Sequence, residues 1–261
     1  MENKNLLEIK SIFFKIKEKL ILNDISLDVK SGDMVSIIGP NGSGKTTMLK
    51  AISNEVKISD GEIIFNKKNI NNWDISELAN EKSVLSQSSN LVFPFTVIDI
   101  VKMGRFPIKK KGNLVQENNL CEKILDIFDL TDYVNQNYIT LSGGEKQRVQ
   151  LARVVAQIWS EDYSEKILLL DEPTSYLDIK HQYLLFNFLK TLNDKGLTIM
   201  MVLHDLNHAI SNSNKVAVLK NSQLISYGDT KKVITENLIN KVFEIDLKLI
   251  NYEGNDVPII F

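Results

Sequence analysis

Met34-Val35-Ser36-Ile37-Ile38 runs straight into Gly39-Pro40-Asn41-Gly42-Ser43-Gly44-Lys45-Thr46, and this junction constrains the fold more than any other stretch. A largely apolar run that ends at a glycine suits a strand buried inside a parallel sheet. The eight residues after it match G-x-x-x-x-G-K-[ST], and residues 45–53 read as a helix. That is the strand–loop–helix context in which this pattern cradles phosphate. Its glycines let backbone N–H groups turn inward around phosphate oxygens. The helix start presents its positive end to the anion. In such a loop Lys45 reaches the β and γ phosphates of a nucleotide and the Thr46 hydroxyl ligates Mg²⁺. Thr47 joins residues 39–46 as a nucleotide-binding position. The bland alternative, a glycine-rich turn before a helix, leaves the lysine and the hydroxyl without a purpose.

The remaining pattern fits around this junction. Leu7 and Ile9, then Leu20, Ile21, Leu22, Ile25, Leu27 and Val29, predict antiparallel strands with a turn ending near Gly32. Strands are expected at residues 62–65, 83–85, 167–170, 198–203, 216–219 and 224–227, and helices at 179–194 and 205–213. Between about 97 and 158 the period changes to helical. Leu120, Ile124, Leu125 and Phe128 recur at that spacing, as do Val149, Ala152, Val155 and Ala156. A helical block set within strand–helix alternation predicts an α/β fold with a largely parallel sheet. Lys109-Lys110-Lys111-Gly112 reads as a solvated loop, and residues 229–261 as a short mixed region that completes the fold.

Two further segments carry chemistry. Residues 167–170 form an apolar strand that delivers Asp171 and Glu172 at its end, where ligands bind in open α/β sheets. Asp171 suits a Mg²⁺ ligand acting through water, and Glu172 a general base for an attacking water. Without the phosphate loop, two acids ahead of Pro173 could simply start a turn. Ser142-Gly143-Gly144-Glu145 precedes an amphipathic helix. Serine followed three residues later by glutamate is a capping box. A cap has no need of two adjacent glycines, whereas an anion approaching the helix start does. Five of the twelve glycines, at 39, 42, 44, 143 and 144, lie in these two motifs.

Bulk properties exclude several classes. With 31 basic and 33 acidic residues the net charge is −2, which gives no electrostatic case for nucleic acid. The single cysteine, Cys121, allows no internal disulfide and reads as a core residue in a reducing compartment. No apolar run approaches the ~20 residues of a membrane span, and the N-terminus carries no secretory signal. A membrane role therefore has to pass through a partner.

Taken together, GPNGSGKT, LSGGEKQR, LLLDEP, the loop Ser175-Tyr176-Leu177-Asp178 and Leu203-His204-Asp205 resemble the ATP-binding subunits of ABC transporters, in order and spacing, over nearly the whole chain. The resemblance implies a P-loop NTPase (RecA-like) core with an N-terminal antiparallel β subdomain and an inserted helical subdomain. All of 1–261 is then one ABC ATPase domain, with 1–87 and 159–261 as core and 88–158 as the helical part. It implies an ATPase using ATP and Mg²⁺, with Gln87 touching Mg²⁺ and water, His204 contacting the γ-phosphate, and Asp178 crossing to a partner. On residues alone, Gln87 reads as a surface glutamine and His204 as a packed or helix-starting histidine. His181 and His208 match no catalytic position. In the family two copies sandwich ATP, so that Ser142, Gly143, Gly144 and Glu145 serve a nucleotide held by the other copy. The family pattern usually stacks adenine on an aromatic residue where this chain has Ile16, with Phe14 two residues earlier. Tyr176 stands where a small residue is more usual.

The segment from Ser86 to Val97, with Val101-Lys102-Met103-Gly104-Arg105, is most similar to importers of haem, ferric siderophores and cobalamin, and among those to the haem-importer subunit. That implies a separate membrane permease dimer, a substrate-binding protein working with it, and a place on the cytoplasmic face of the bacterial plasma membrane. Phe93, Phe95 and Val97 either line a groove for a permease helix or belong to the core of the helical block. Rival readings are a soluble ABC ATPase acting on nucleic acid and a P-loop kinase. The first lacks a tandem domain, a coiled-coil insertion and a basic excess. The second leaves residues 142–145 and His204 without a purpose.

Overall fold

Side chains alternate between interior and solvent along the second half of β2 (Lys19–Lys30), which pairs with the bulged β1 (Asn5–Ile16) as an antiparallel hairpin, Leu7 opposite Val29 and Ile9 opposite Leu27. The computed structural model describes residues 4–87, 93–108, 113–252 and 255–260, with the backbone alone at 251–252 and 255–260. After the hairpin come β3 (Met34–Ile38), α1 (Lys45–Ile52), β4 (Asp60–Phe65), β5 (Lys68–Asn69), α2 (Ile75–Glu81) and β6 (Lys82–Leu85). Then follow α3 (Val97–Met103), α4 (Leu114–Ile127), α5 (Gly143–Ile158), β7 (Ile167–Asp171), α6 (Ile179–Asp194) and β8 (Thr198–Val202). The chain continues through α7 (Leu206–Ser211), β9 (Lys215–Lys220), β10 (Gln223–Asp229), α8 (Thr230–Val233), α9 (Glu236–Phe243), β11 (Leu247–Tyr252) and β12 (Asn255–Ile260). These elements fall into two compact units, Met1–Trp73 with Thr198–Phe261, and Asp74–Leu197.

In the first unit one antiparallel sheet has the order β2-β1-β4-β5. Beside it β3 lies parallel to both β8 and β9, and β10 returns antiparallel to β9. Every residue of β3 and β8 is buried, as continuous apolar runs in a parallel sheet require. The turn into β3 is fixed by Asp33, whose carboxylate accepts from the Lys30 N–H at 2.9 Å and from Asn214 Nδ2 at 2.9 Å. Asn214 Oδ1 in turn accepts the Met34 N–H at 2.7 Å. Bonds to a charged group contribute about 1.5–3 kcal/mol each, enough to fix where β3 starts and so where its far end delivers Gly39.

In the second unit β6 pairs in parallel with β7, and α5 packs on α3, α4 and β6. The expected stripe Val149, Ala152, Val155 and Ala156 is buried, together with Leu151, Val154 and Ile158. Among the described residues the expected helical block thus contains three α-helices. All three begin with capping boxes, Thr96 with Asp99, Asn113 with Gln116 and Ser142 with Glu145. Apolar periodicity alone did not mark α2, which Asp74 caps by accepting from the Ser76 and Glu77 N–H groups. Among the apolar residues expected either in a groove or in the core, Val97 is fully buried and belongs to the core. Phe95 is half-buried, while Phe93 is 65% exposed. The stretch 88–92 and the loop 109–112 lie outside the described residues, as does Phe261. Cys121 is buried as expected, and burial pushes its thiol pKa up, which makes it a poor nucleophile. The C-terminal region contributes α9 and the β11–β12 hairpin. No helix among the described residues is long and apolar enough to cross a membrane.

Candidate functional site

Residues of interest occur in both units, and each set is built locally. In the first unit β3 ends at Gly39, whose φ is +149°, and an added Cβ there would stand 2.0 Å from the Leu219 carbonyl oxygen. Only glycine fits, so the loop leaves the strand hard against β9. Gly44 caps α1 in the left-handed conformation, with no side-chain hydrogen bond at the cap and no acidic residue in the first turn. The first N–H groups of α1 therefore meet no side-chain acceptor of the cap, which suits a phosphate. Lys45 is 6% exposed, and its ammonium donates to the carbonyls of Gly39 at 2.8 Å and Pro40 at 3.0 Å. The Ser43 hydroxyl is buried without a hydrogen-bond partner. An orphaned hydroxyl inside a glycine-rich loop costs about 1–3 kcal/mol, a penalty that phosphate oxygens at this position would relieve. The loop thus fits a nucleotide on its own geometry.

Beside the loop, an added Cβ on Gly44 would stand 2.7 Å from the Ile21 carbonyl and 3.1 Å from the Leu22 side chain. Leu22 pairs with Phe14 across the hairpin. This brings the β1–β2 hairpin up to the loop, with Phe14 half-buried and Ile16 54% exposed. His204 follows β8 as an exposed residue, immediately before Asp205, which caps α7 by accepting the Asn207 N–H at 2.7 Å.

In the second unit β7 buries all its residues, Asp171 included at 4% exposure. Glu172 follows in the left-handed region at φ 51°. Its carboxylate is held from both sides: Oε1 accepts from Gln87 Nε2 at 3.2 Å and Oε2 from the Ser175 hydroxyl at 3.3 Å. The structure therefore joins the two sequence-predicted residues Gln87 and Glu172 directly. Ser142 caps α5 as expected, with its hydroxyl accepting the Glu145 N–H at 3.3 Å and Glu145 Oε2 accepting the Ser142 N–H at 2.7 Å. These bonds hold the Glu145 carboxyl below the usual carboxylate range, the Ser142 side chain contributing most. Gly143 and Gly144 form the first turn of α5.

Asp178 has a local task as well. It caps α6, accepting both the His181 N–H and His181 Nδ1 at 2.8 Å. The backbone bond first, and then the ring, hold its carboxyl below the usual range. His181 lies with its other ring nitrogen 3.5 Å from Asp129, which agrees with a structural reading.

Sequence reasoning missed two contributors here. Ser175 lies three residues after Glu172 and turns its hydroxyl back on it. Gln147, one turn into α5, donates to the carbonyls of Glu172 at 3.4 Å and Pro173 at 3.2 Å. A polar residue on an amphipathic helix gives no sign of such a role in one sequence. Ser175 was legible only as part of the loop 175–178.

The parallel strands, the phosphate loop and the acidic strand end define a nucleoside-triphosphate-hydrolysing domain of the P-loop class. The ABC transporter family pattern matches residues 22–175. The chain is 34% identical over 256 residues to the hemin import ATP-binding protein HmuV of Escherichia coli O157:H7, covering 98% of each chain. It is 36% identical over 259 residues to the protein of the same description from Shewanella denitrificans, covering 98% of this chain and 100% of that one. Among solved structures, an inward-facing ABC transporter of metal-chelate type shares the fold with a TM-score of 0.77 at 24% identity, covering 98% of both chains. A dimeric ATP-binding cassette in a post-hydrolysis state, bound to ADP and Pi, has a TM-score of 0.76 at 28% identity, covering 86% of this chain and 98% of that one. This chain belongs to the ABC transporter family. It is the ATP-binding subunit, an ATPase whose hydrolysis is coupled to transport.

Proposed function

We propose that two copies of this chain drive import of hemin through a separate membrane permease, each ATP lying between the phosphate loop of one copy and residues 142–145 of the other. The observation that carries the ATP-sandwich reading is the pairing of two phosphate-suited helix starts in one chain: the loop at 39–46 with its orphaned Ser43 hydroxyl, and the Ser142-capped α5 with its glycine first turn. One nucleotide bound at the loop leaves the second helix start without an anion, and a two-fold pair of chains matches loop to helix in both directions. The relatives described as hemin import proteins, matched over nearly their full length, support hemin as cargo. Ferric siderophore and cobalamin are the alternative cargoes for the same machine.

In this reading residues 39–46 and Thr47 bind the nucleotide, with Lys45 turning from its two carbonyls to the phosphates. Among the described residues no cluster of three or more His, Cys, Asp or Glu side chains could hold a metal. The oxygen donors of Thr46, Gln87 and Asp171 suit Mg²⁺, which is held by few protein groups together with substrate phosphates. When bound, the ion would supply positive charge against that developing on the phosphates. Glu172, gripped by Gln87 and Ser175, accepts a proton from the attacking water. His204 contacts the γ-phosphate, and Asp178 reaches the partner copy from the cap of α6. Residues 88–158 act as the helical subdomain facing the permease, with 1–87 and 159–261 as the core. A substrate-binding protein delivers cargo from outside, this subunit sits on the cytoplasmic face of the plasma membrane, and no nucleic acid takes part.

The test is reconstitution with the cognate permease, followed by ATP-driven uptake of hemin, ferric siderophore and cobalamin in parallel. Uptake of hemin alone supports the proposal. Uptake of one of the others with no hemin transport corrects the cargo. ATP hydrolysis without any dependence on the permease would sink the importer reading.

A further inference from the structure

The two elements of the second unit that serve different nucleotides are tied together. Resting on the ATP-sandwich reading, residues 142–145 at the head of α5 face the partner's ATP, while Glu172 acts on the ATP of its own copy. Gln147 stands on α5 one turn behind that head. Its amide donates to the carbonyl of Pro173 at 3.2 Å and, over a longer 3.4 Å contact, to that of Glu172. An amide nitrogen carries two hydrogens, one for each carbonyl. The same turn is pressed on α5 from its other end. An added Cβ on Gly144 would stand 2.8 Å from the Tyr176 carbonyl oxygen, and one on Gly143 would meet the Tyr176 ring at 3.4 Å. Glu172 and Tyr176, the ends of the turn, are both in the left-handed region, at φ 51° and 65°. A non-glycine residue pays for that conformation only where its surroundings hold it, and here α5 lies against both ends.

We infer that Gln147 is a positioning residue that makes the head of α5 and the turn 172–176 move as one piece, so that docking of residues 142–145 on the partner's nucleotide sets the position of Glu172 in its own site. Each ATP then reports its presence to the opposite site through one amide. The coupling is a rigid joint inside each chain, and the two-fold axis repeats it in both directions.

Gln147→Leu leaves a side chain of similar bulk, one atom shorter, and removes both donors. With the permease complex intact, the expected result is a kcat reduced about tenfold or more with KM for ATP within about twofold. The Hill coefficient for ATP is expected to fall towards 1. ATP affinity of the single chain is expected to stay unchanged. A kcat within about twofold of the parent together with an unchanged Hill coefficient overturns the inference. So does a loss in which KM alone rises. If Gln147→Leu proves poorly folded, hydrogen exchange on the Glu172→Gln protein decides, since that variant keeps Gln147 and both backbone carbonyls it bonds. On adding ATP, residues 142–147 and 172–176 should gain protection together. Protection of 142–147 with none at 172–176 refutes the joint. If Glu172→Gln gains no protection at 142–147 and stays monomeric at saturating ATP, the sandwich reading itself has failed, which is a separate outcome.

Discussion

Gly144 lies directly beneath the carbonyl oxygen of Tyr176, so that a Cβ at Gly144 would stand 2.8 Å from it. The sequence suggests only one reason for the glycine pair ahead of α5, an approaching anion. The structure separates the two positions. Gly144 is required by the chain's own packing, whereas a Cβ on Gly143 would find only ordinary contact with the Tyr176 ring at 3.4 Å. The anion argument therefore rests on Gly143.

Gly143→Ala and Gly144→Ala should part company. Gly143→Ala is expected to melt within about 0.5 kcal/mol of the parent, as alanine suits a helix better than glycine and nothing crowds it. Gly144→Ala is expected to lose about 1–3 kcal/mol through overpacking. If the phosphate of a partner's ATP comes to the helix head, Gly143→Ala still loses ATPase activity despite its normal stability. Wild-type turnover by Gly143→Ala, measured as phosphate release, would falsify that role.

Glu172→Gln keeps the shape of the side chain and its acceptor towards Ser175 or Gln87, but it cannot take a proton from water. Hydrolysis is expected to fall by a factor of about 100 or more, the scale of a lost general base. ATP then remains bound, and binding to the closed pair alone stabilises that pair by mass action. Gel filtration in saturating ATP should therefore show a dimer where the parent shows monomer. Rapid hydrolysis by this variant would move the base elsewhere.

How much of this was readable beforehand depends on the kind of signal. The strand–loop–helix at 34–52 and the strand at 167–171 could be read because burial on both faces demands unbroken apolar runs, and the phosphate loop demands its glycines and lysine. The helix at 179–194 appears with its expected bounds. The short element α2, governed by its Asp74 cap, was invisible to periodicity, because seven residues hold too few apolar repeats. The β11–β12 hairpin also went unread. Within the site, Gln87 looked like a surface residue until the fold carried it to Glu172 across 85 positions. Gln147 and Ser175 act through carbonyls and a turn, contacts that leave no mark on residue type.

Lys45 donates to two carbonyls of its own loop, at 2.8 and 3.0 Å. It therefore has a structural role beside the proposed binding one, and Lys45→Ala tests both. Loss of the charged donor from two loop carbonyls is expected to reduce stability by about 1–3 kcal/mol. ATP affinity is expected to fall at least about tenfold, or ~1.4 kcal/mol, in a binding titration. Adding nucleotide should raise the melting temperature of the parent but not of the variant. An equal rise in both would show that the lysine does not reach the phosphates.

The last test concerns acid. Ser142 holds the Glu145 carboxyl below its usual range, through its hydroxyl and then its backbone N–H. A carboxyl whose folded pKa is depressed contributes stability that is fully present above its unfolded value, about 4.3, and is lost as pH falls through the lower folded value. The head of α5 should thus open locally as pH falls below about 4.3, the unfolded value. Amide exchange at Glu145 and Lys146 should accelerate over that window beyond the intrinsic pH trend. In Glu145→Gln the side chain still accepts from the Ser142 N–H but no longer titrates, so this excess pH dependence should vanish while the cap persists. An identical acid response in parent and variant would mean that the capping box does not govern the helix head. The group would carry most of its stabilisation at neutral pH, where the proposed sandwich asks residues 142–145 to present their N–H groups to a phosphate.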